Sequence, residues 1–232
     1  MEPYLGDLEK TEILTELFER SGDLRDVSWR EKFLENVADA SFACGDPQVI
    51  VGPDGFTYFH LTIPEPYKAF QCYVIRHMTV DFLLKEGFGV VINPSKEQPD
   101  WVFSYGDIVN FHLTNTFYSQ AESDLTGSTE KLKEGEEILT GQPAESYLPM
   151  QVRTVLRRYL ESMGISGSKI MLLTRIINGQ ANHELAFNLT QAHFPDETEY
   201  TRVMGTLQWF LPRHYNYSSM DEKKMKNMFS PL

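Results

Sequence analysis

The chain reads as an α+β protein: two small α/β sandwich domains behind an acidic helical extension. Three observations predict this. Helical and strand-like hydrophobic periods alternate along 232 residues, a length that suits one large or two small domains. A stretch at 119–137 is poor in large apolar residues and divides the sequence. The second half runs helix, strand, strand, helix, which packs as a layered sandwich. At this size roughly two-thirds of the extended-chain surface is buried on folding, so the core needs no disulfide or metal staple.

The first fifty residues carry twelve acids and five bases. Leu8, Ile13, Leu14, Leu17 and Phe18 recur at helical spacing, with Asp7 as N-cap and Gly22 just past the end. A second helix opens with Ser28-Trp29-Arg30-Glu31, the Ser-x-x-Glu capping box. It carries Trp29, Phe33, Val37 and Ala40 on one side and stops at Gly45 and Pro47, so residues 1–47 form the extension.

The first domain, 48–118, begins where the period changes. Val49-Ile50-Val51, a Gly52-Pro53-Asp54-Gly55 turn and Phe56 to Leu61 read as a hairpin. Thr79 to Lys85 is helical, with Gly87 as the glycine that ends it. Gly89-Val90-Val91-Ile92 is a strand buried on both faces, stopped by Asn93-Pro94. Trp101-Val102-Phe103 follows, and Asp107 caps a helix through Ile108, Val109 and Phe111.

The linker 119–137 holds seven Ser, Thr or Gly residues, and residues 122–137 hold six acids against two lysines. In the second domain, 138–214, Val152, Val155, Leu156, Tyr159, Leu160 and Met163 form one helical face ended by Gly164. Ile170 to Leu173 and Glu184 to Leu189 are strands joined through an Asn178-Gly179 turn. Asp196, three before Glu199, caps a last helix with Tyr200, Val203, Met204, Leu207, Phe210 and Leu211 on its face, and Pro212 ends it. The tail, 215–232, combines lysines with Met220, Met225, Met228 and Phe229, which suits either a frayed end or adaptable docking.

Two local patterns carry a family resemblance. Gly87-Phe88-Gly89-Val90-Val91-Ile92-Asn93-Pro94, followed by a strand and Ser104-Tyr105-Gly106-Asp107-Ile108, resembles the N-terminal domain of the bacterial SseB (enhanced serine sensitivity) proteins. Gly141-Gln142-Pro143-Ala144-Glu145, with Leu148-Pro149 and a long helix after it, is similar to the opening of that family's C-terminal domain. The resemblance covers roughly residues 56–112 and 138–211 and implies two α/β domains. It brings no catalytic residue with it.

Composition narrows the function further. A net charge of −12 argues against nucleic acid or an anionic membrane as partner. The start of the chain lacks a basic, apolar leader, and no window of apolar residues is long enough to span a bilayer, so a cytoplasmic protein is expected. Cys44 and Cys72 then read as two reduced, buried thiols.

None of the six histidines stands in a metal-binding motif, and neither nucleophile elbows nor phosphate-cradling loops occur. No catalytic residue, cofactor or metal is therefore expected. Asn93, at the end of a buried strand, is the best-placed polar residue, although an Asn-Pro turn is the favoured explanation for it. Arg153, Arg157, Arg158, Lys169 and Arg175 form a basic island; the four-residue spacing puts Arg153 and Arg157 on one face, opposite the apolar stripe. A solvated helix face explains that island most simply; an acidic partner, or the chain's own acidic helices, is the docking alternative. The expected role is non-enzymatic: a protein-interaction or adaptor module, with a homodimer through the last helix or tail as one form. The alternative is a ligand-binding protein or enzyme with an inter-domain cleft lined by Asn93, His60, Tyr105 and His183.

Overall fold

The computed structural model describes residues 5–94, 98–119, 138–177, 180–225 and 227–232. The fold is α+β, and the chain divides into two compact units, Met1–Phe117 and Tyr118–Leu232, each with a mixed sheet. Residues 120–137 of the expected linker and the Asn178-Gly179 turn lie outside the described residues.

In the first unit, α1 (Leu8–Phe18) starts where expected, the Asp7 carboxylate accepting the N–H groups of Glu9 and Lys10. α2 (Val27–Val37) starts earlier than the Ser28 capping box implies. Asp26 caps it, accepting the Trp29 N–H at 2.8 Å, because a carboxylate at the positive end of the helix outcompetes the hydroxyl two residues on. The Trp29 indole N–H donates to the Leu17 carbonyl at 2.9 Å and ties α2 to α1. α2 stops at Val37, and β1 (Ala43–Val51) already runs through Gly45 and Pro47, so the expected border at 47 falls inside a strand. The register with β2 (Thr57–Thr62) jumps between Cys44 and Val49, which places Gly45-Asp46-Pro47-Gln48 in a bulge.

The next helix begins at Ile75 rather than Thr79. α3 (Ile75–Met78), a π turn (Thr79–Leu83) and α4 (Leu84–Glu86) run end to end, and Gly87 closes them at φ +82°. β3 (Gly89–Ile92), buried throughout, returns parallel to β2, and β4 (Trp101–Phe103) pairs antiparallel with β3. α5 (Tyr105–Thr114) is capped by Ser104; Asp107 supplies the other half of the capping box rather than the cap itself. Across the sheet, Phe59, Val90 and Phe103 form one row and Leu61, Ile92 and Trp101 the next, on a common face. Phe33 of α2 meets Trp101 at 4.5 Å and Phe103 at 6.1 Å, and Phe82 meets Phe59 at 5.0 Å. The acidic helices therefore belong to this unit's core; their apolar faces are buried and their carboxylates face outward.

Among its described residues the second unit has five strands where two were expected: β5 (Ile138–Gly141), β6 (Lys169–Ile177), β7 (Gln180–Phe187), β8 (Asn216–Ser219) and β9 (Ser230–Pro231). β5 and β8 have four residues and β9 two, too few for a period to show. α6 (Met150–Ser162) and α7 (Glu197–Phe210) pack together through Tyr159 and Phe210 at 4.6 Å, and Tyr200 of α7 hydrogen-bonds Ser219 of β8 at 2.5 Å. Asp196 caps α7 as expected, accepting the Glu199 N–H.

The opposite sheet face carries a small core of Met171, Leu173 and Ala186, with Ile138, Met220, Met225 and Phe229 packed against it. The tail is thus neither frayed nor free. It is a strap that leaves β8, crosses this face and ends in β9, paired with Lys169 and Ile170 of β6. Each half-buried strap side chain contributes on the order of 1 kcal/mol.

Candidate functional site

In the first unit the sequence candidates are engaged one by one in holding the fold. Asn93 sits at φ +52°, donates to the Asp100 carboxylate at 2.7 Å and accepts the Ile63 N–H at 3.2 Å. Asp100, buried, pairs with Arg25 at 2.6 Å, and the Arg25 guanidinium lies 4.8 Å from the Trp29 ring centroid. These bonds fit the turn reading of Asn93. Tyr105 is fully buried and donates to the Leu84 carbonyl at 2.8 Å. His60 donates from Nδ1 to the Pro47 carbonyl at 3.1 Å, and its ring fills the space a side chain on Gly45 would need. Its Nε2 is buried without a hydrogen-bond partner among the described residues.

Asp39 gathers Arg76 at 2.5 Å and Lys10 at 2.9 Å; the Arg76 bond, then Lys10, hold its carboxyl below the usual range against the opposing effect of burial. Cys44 and Cys72 are free and half-buried rather than buried. Phe42 and Tyr73 pair directly, so strand alternation puts Cys44 on their side and Cys72 on the other. Burial raises the Cys44 thiol, which favours the unreactive protonated form.

In the second unit Arg153 is buried, contrary to its expected place opposite the apolar stripe. Its guanidinium donates to the carbonyls of Pro143 and Leu148, and the demand of those two carbonyls for a donor pulls it inward. Arg157 donates to the Leu232 carbonyl at 2.8 Å, so it ties down the strap; Arg158 is exposed. Arg175 and Glu184 pair at 3.0 Å on the strap-side face. His183 hydrogen-bonds Thr174 at 2.9 Å and meets the Tyr147 ring edge-on at 5.6 Å. Tyr147 stacks on Tyr215 at 4.3 Å, and burial pushes both phenols well above their usual range, so both stay neutral. Burial lowers His214.

One open surface lies on the helix side of the second sheet. Leu139, Thr174 and His183 form a row across β5, β6 and β7, and Ile176 faces Ala181 in the next row. Leu139 is 55% and Ile176 52% exposed. β5 is a terminal strand: among the described residues nothing pairs with its outer edge. Of this surface, sequence reasoning named only His183. Leu139 and Ile176 sit in short apolar runs, and nothing in such a run marks which residue stays uncovered.

A groove of about 490 Å³ lies between the β7–α7 connection and the strap, lined by Asn188, Thr190, His193, Asp221, Glu222, Lys223 and Asn227. Lys169 draws the Glu222 carboxyl below its usual range. Among the described residues no group of three or more His, Cys, Asp or Glu side chains is placed to hold a metal ion, and no helix is long and apolar enough to cross a membrane.

Comparison with known proteins finds no matching family model, no matching curated protein and no matching solved structure.

Proposed function

We propose that the chain is a non-enzymatic protein-interaction module of the cytoplasm, of SseB-like organisation, and that its docking surface is the open end of the helix-side face of the second sheet. The observation that carries this is the pair of exposed apolar residues, Leu139 and Ile176, set in rows beside an unpaired strand edge. A partner strand on β5 gains backbone hydrogen bonds, and its alternate side chains lie over those rows. Covering each of the two residues recovers on the order of 1 kcal/mol. Asn93 bonds Asp100 in its turn, and Tyr105, His60, Arg153 and Arg157 bond backbone carbonyls of their own units. Two unpaired thiols, held on opposite sides of a bridge, fit a reducing compartment.

Charge is unevenly distributed: residues 1–117 hold nineteen acids and nine bases, residues 138–232 eight acids and ten bases. Docking on the nearly neutral second unit is therefore driven by apolar burial and changes little with salt. The test is affinity capture with the full chain beside a Leu139→Glu/Ile176→Glu variant of matched thermal stability. The proposal expects a defined protein retained by the first and lost from the second, across a wide salt range. Equal retention by both contradicts it.

A second reading, small-ligand binding, rests on the groove of about 490 Å³. NMR shifts confined to Thr190, His193, Asp221 and Lys223 on addition of polar fragments support that reading, and unchanged spectra reject it.

A further inference from the structure

Four of the nine methionines meet where the strap crosses the second sheet. Met171 is fully buried on β6, and Met220 and Met225 pack on the cluster it forms with Leu173 and Ala186. Met228 is 47% exposed, and its Sδ accepts a hydrogen bond from Thr140 Oγ1 at 3.2 Å.

The polar bonds that hold the strap lie towards its two ends. At one end the Met220 N–H donates to the Phe187 carbonyl, and Glu222 takes Lys169 and Asn188. At the other, Ser230 donates to Ile170, the Leu232 N–H to Ser168, and Arg157 to the Leu232 carbonyl. Between them, among the described residues, the hold is the Met225 thioether, the Phe229 ring and the Thr140–Met228 bond. A thioether suits such a place because it fills irregular gaps at little cost, and it is also the group in this contact that a mild oxidant changes.

We propose that Met228 and Met225 form a sulfoxidation site whose modification releases the strap from the sheet. Hydrogen peroxide is the oxidant. The sulfur lone pair attacks one peroxide oxygen, the O–O bond breaks, one S–O bond forms, and the second oxygen leaves as water. The sulfur is oxidised and the peroxide reduced. Within the strap exposure sets the order: Met228, 47% exposed, reacts before the half-buried Met225, while Met171 reacts only once the strap has lifted. At Met225 the new sulfoxide presses a strongly polar oxygen against the apolar side chains of Met171, Leu173 and Ala186, so the lifted state gains. At Met228 the sulfoxide oxygen is a better acceptor for the Thr140 hydroxyl than the thioether was, so the step that releases the strap is the one at Met225.

The experiment treats the full chain with hydrogen peroxide, maps sulfoxides by peptide mass, and follows native-state trypsin cleavage at the exposed Lys223 and Lys224. The expected result is oxidation in the order given and roughly tenfold faster cleavage, the size of effect one misplaced polar group produces. Methionine sulfoxide reductase should restore slow cleavage. A Met225→Leu/Met228→Leu protein, close to isosteric, should keep its slow cleavage under the same peroxide dose. Complete sulfoxidation at both positions with unchanged cleavage overturns the proposal. So does equal acceleration in the leucine variant, or failure of the reductase to restore protection. The reductase arm uses the unaltered sequence and decides the matter even where the variant folds poorly.

Discussion

The two units follow the same series: a hairpin, a helical crossover and a strand returning parallel to the hairpin's second strand. In the first these are β1, β2, the α3–α4 helix and β3; in the second, β6, β7, α7 and β8. They part company at the hairpin's outer edge. In the first unit that edge is β1 itself, broken by a bulge that carries Asp46 and Pro47, a charge and a missing donor that both discourage an added strand. In the second, β5 and β9 cover the edge, and the outermost β5 reads Ile-Leu-Thr-Gly, with neither charge nor proline. A shared chain path leaves function undecided; how each edge and face is finished sets the surface a partner would meet.

The comparison breaks most visibly when one unit's core is damaged. Phe33 stacks between Trp29 and Phe103 and touches Trp101, so Phe33→Ala should cost about 3–5 kcal/mol. Denaturation read at Trp29 and Trp101 should shift strongly, while the transition read at Trp209 in the second unit stays near its place. In the second unit the matching weak point is polar. Arg153→Met leaves the Pro143 and Leu148 carbonyls without their donor and should lower stability by about 2–3 kcal/mol, seen at Trp209.

A smaller effect settles which residue caps α2. Asp26→Ala should cost about 1 kcal/mol and Ser28→Ala only a few tenths, by thermal melting. The smallest effect depends on pH. The folded pKa of Asp39 lies below the unfolded value, so its pairing with Arg76 and Lys10 stabilises above the unfolded pKa and is lost as pH falls through the folded one. Asp39→Asn should be less stable than the native sequence by about 1 kcal/mol at neutral pH, with the gap closing in acid.

Where local chemistry decides structure, the sequence was readable. Asp7, Asp196 and Gly87 act as their types predict, the Gly52–Gly55 turn joins its strands, and the wholly apolar β3 is buried on both faces. Where the outcome depends on distant partners, it was not. The strap owes its place to Met171, Leu173 and Ala186, some fifty residues back in the chain, and no period within 215–232 announces that. Arg153 looks like a surface charge until two carbonyls five and ten residues away claim it. Asp26 and Ser28 are both good caps by residue type, and the carboxylate takes the place because its charge suits the positive end of the helix. The docking surface was legible only at His183, because exposure of Leu139 and Ile176 depends on where two helices end above the sheet.

The most direct test of the claim that docking belongs to the open β5 side is site-specific photo-crosslinking. A photoreactive residue is placed in the full chain at position 139, and in a second version at position 51, where Val51 is 70% exposed on the guarded β1 edge. The account predicts a defined protein adduct from position 139 and none from position 51. Adducts of equal strength from both, or from position 51 alone, would contradict it.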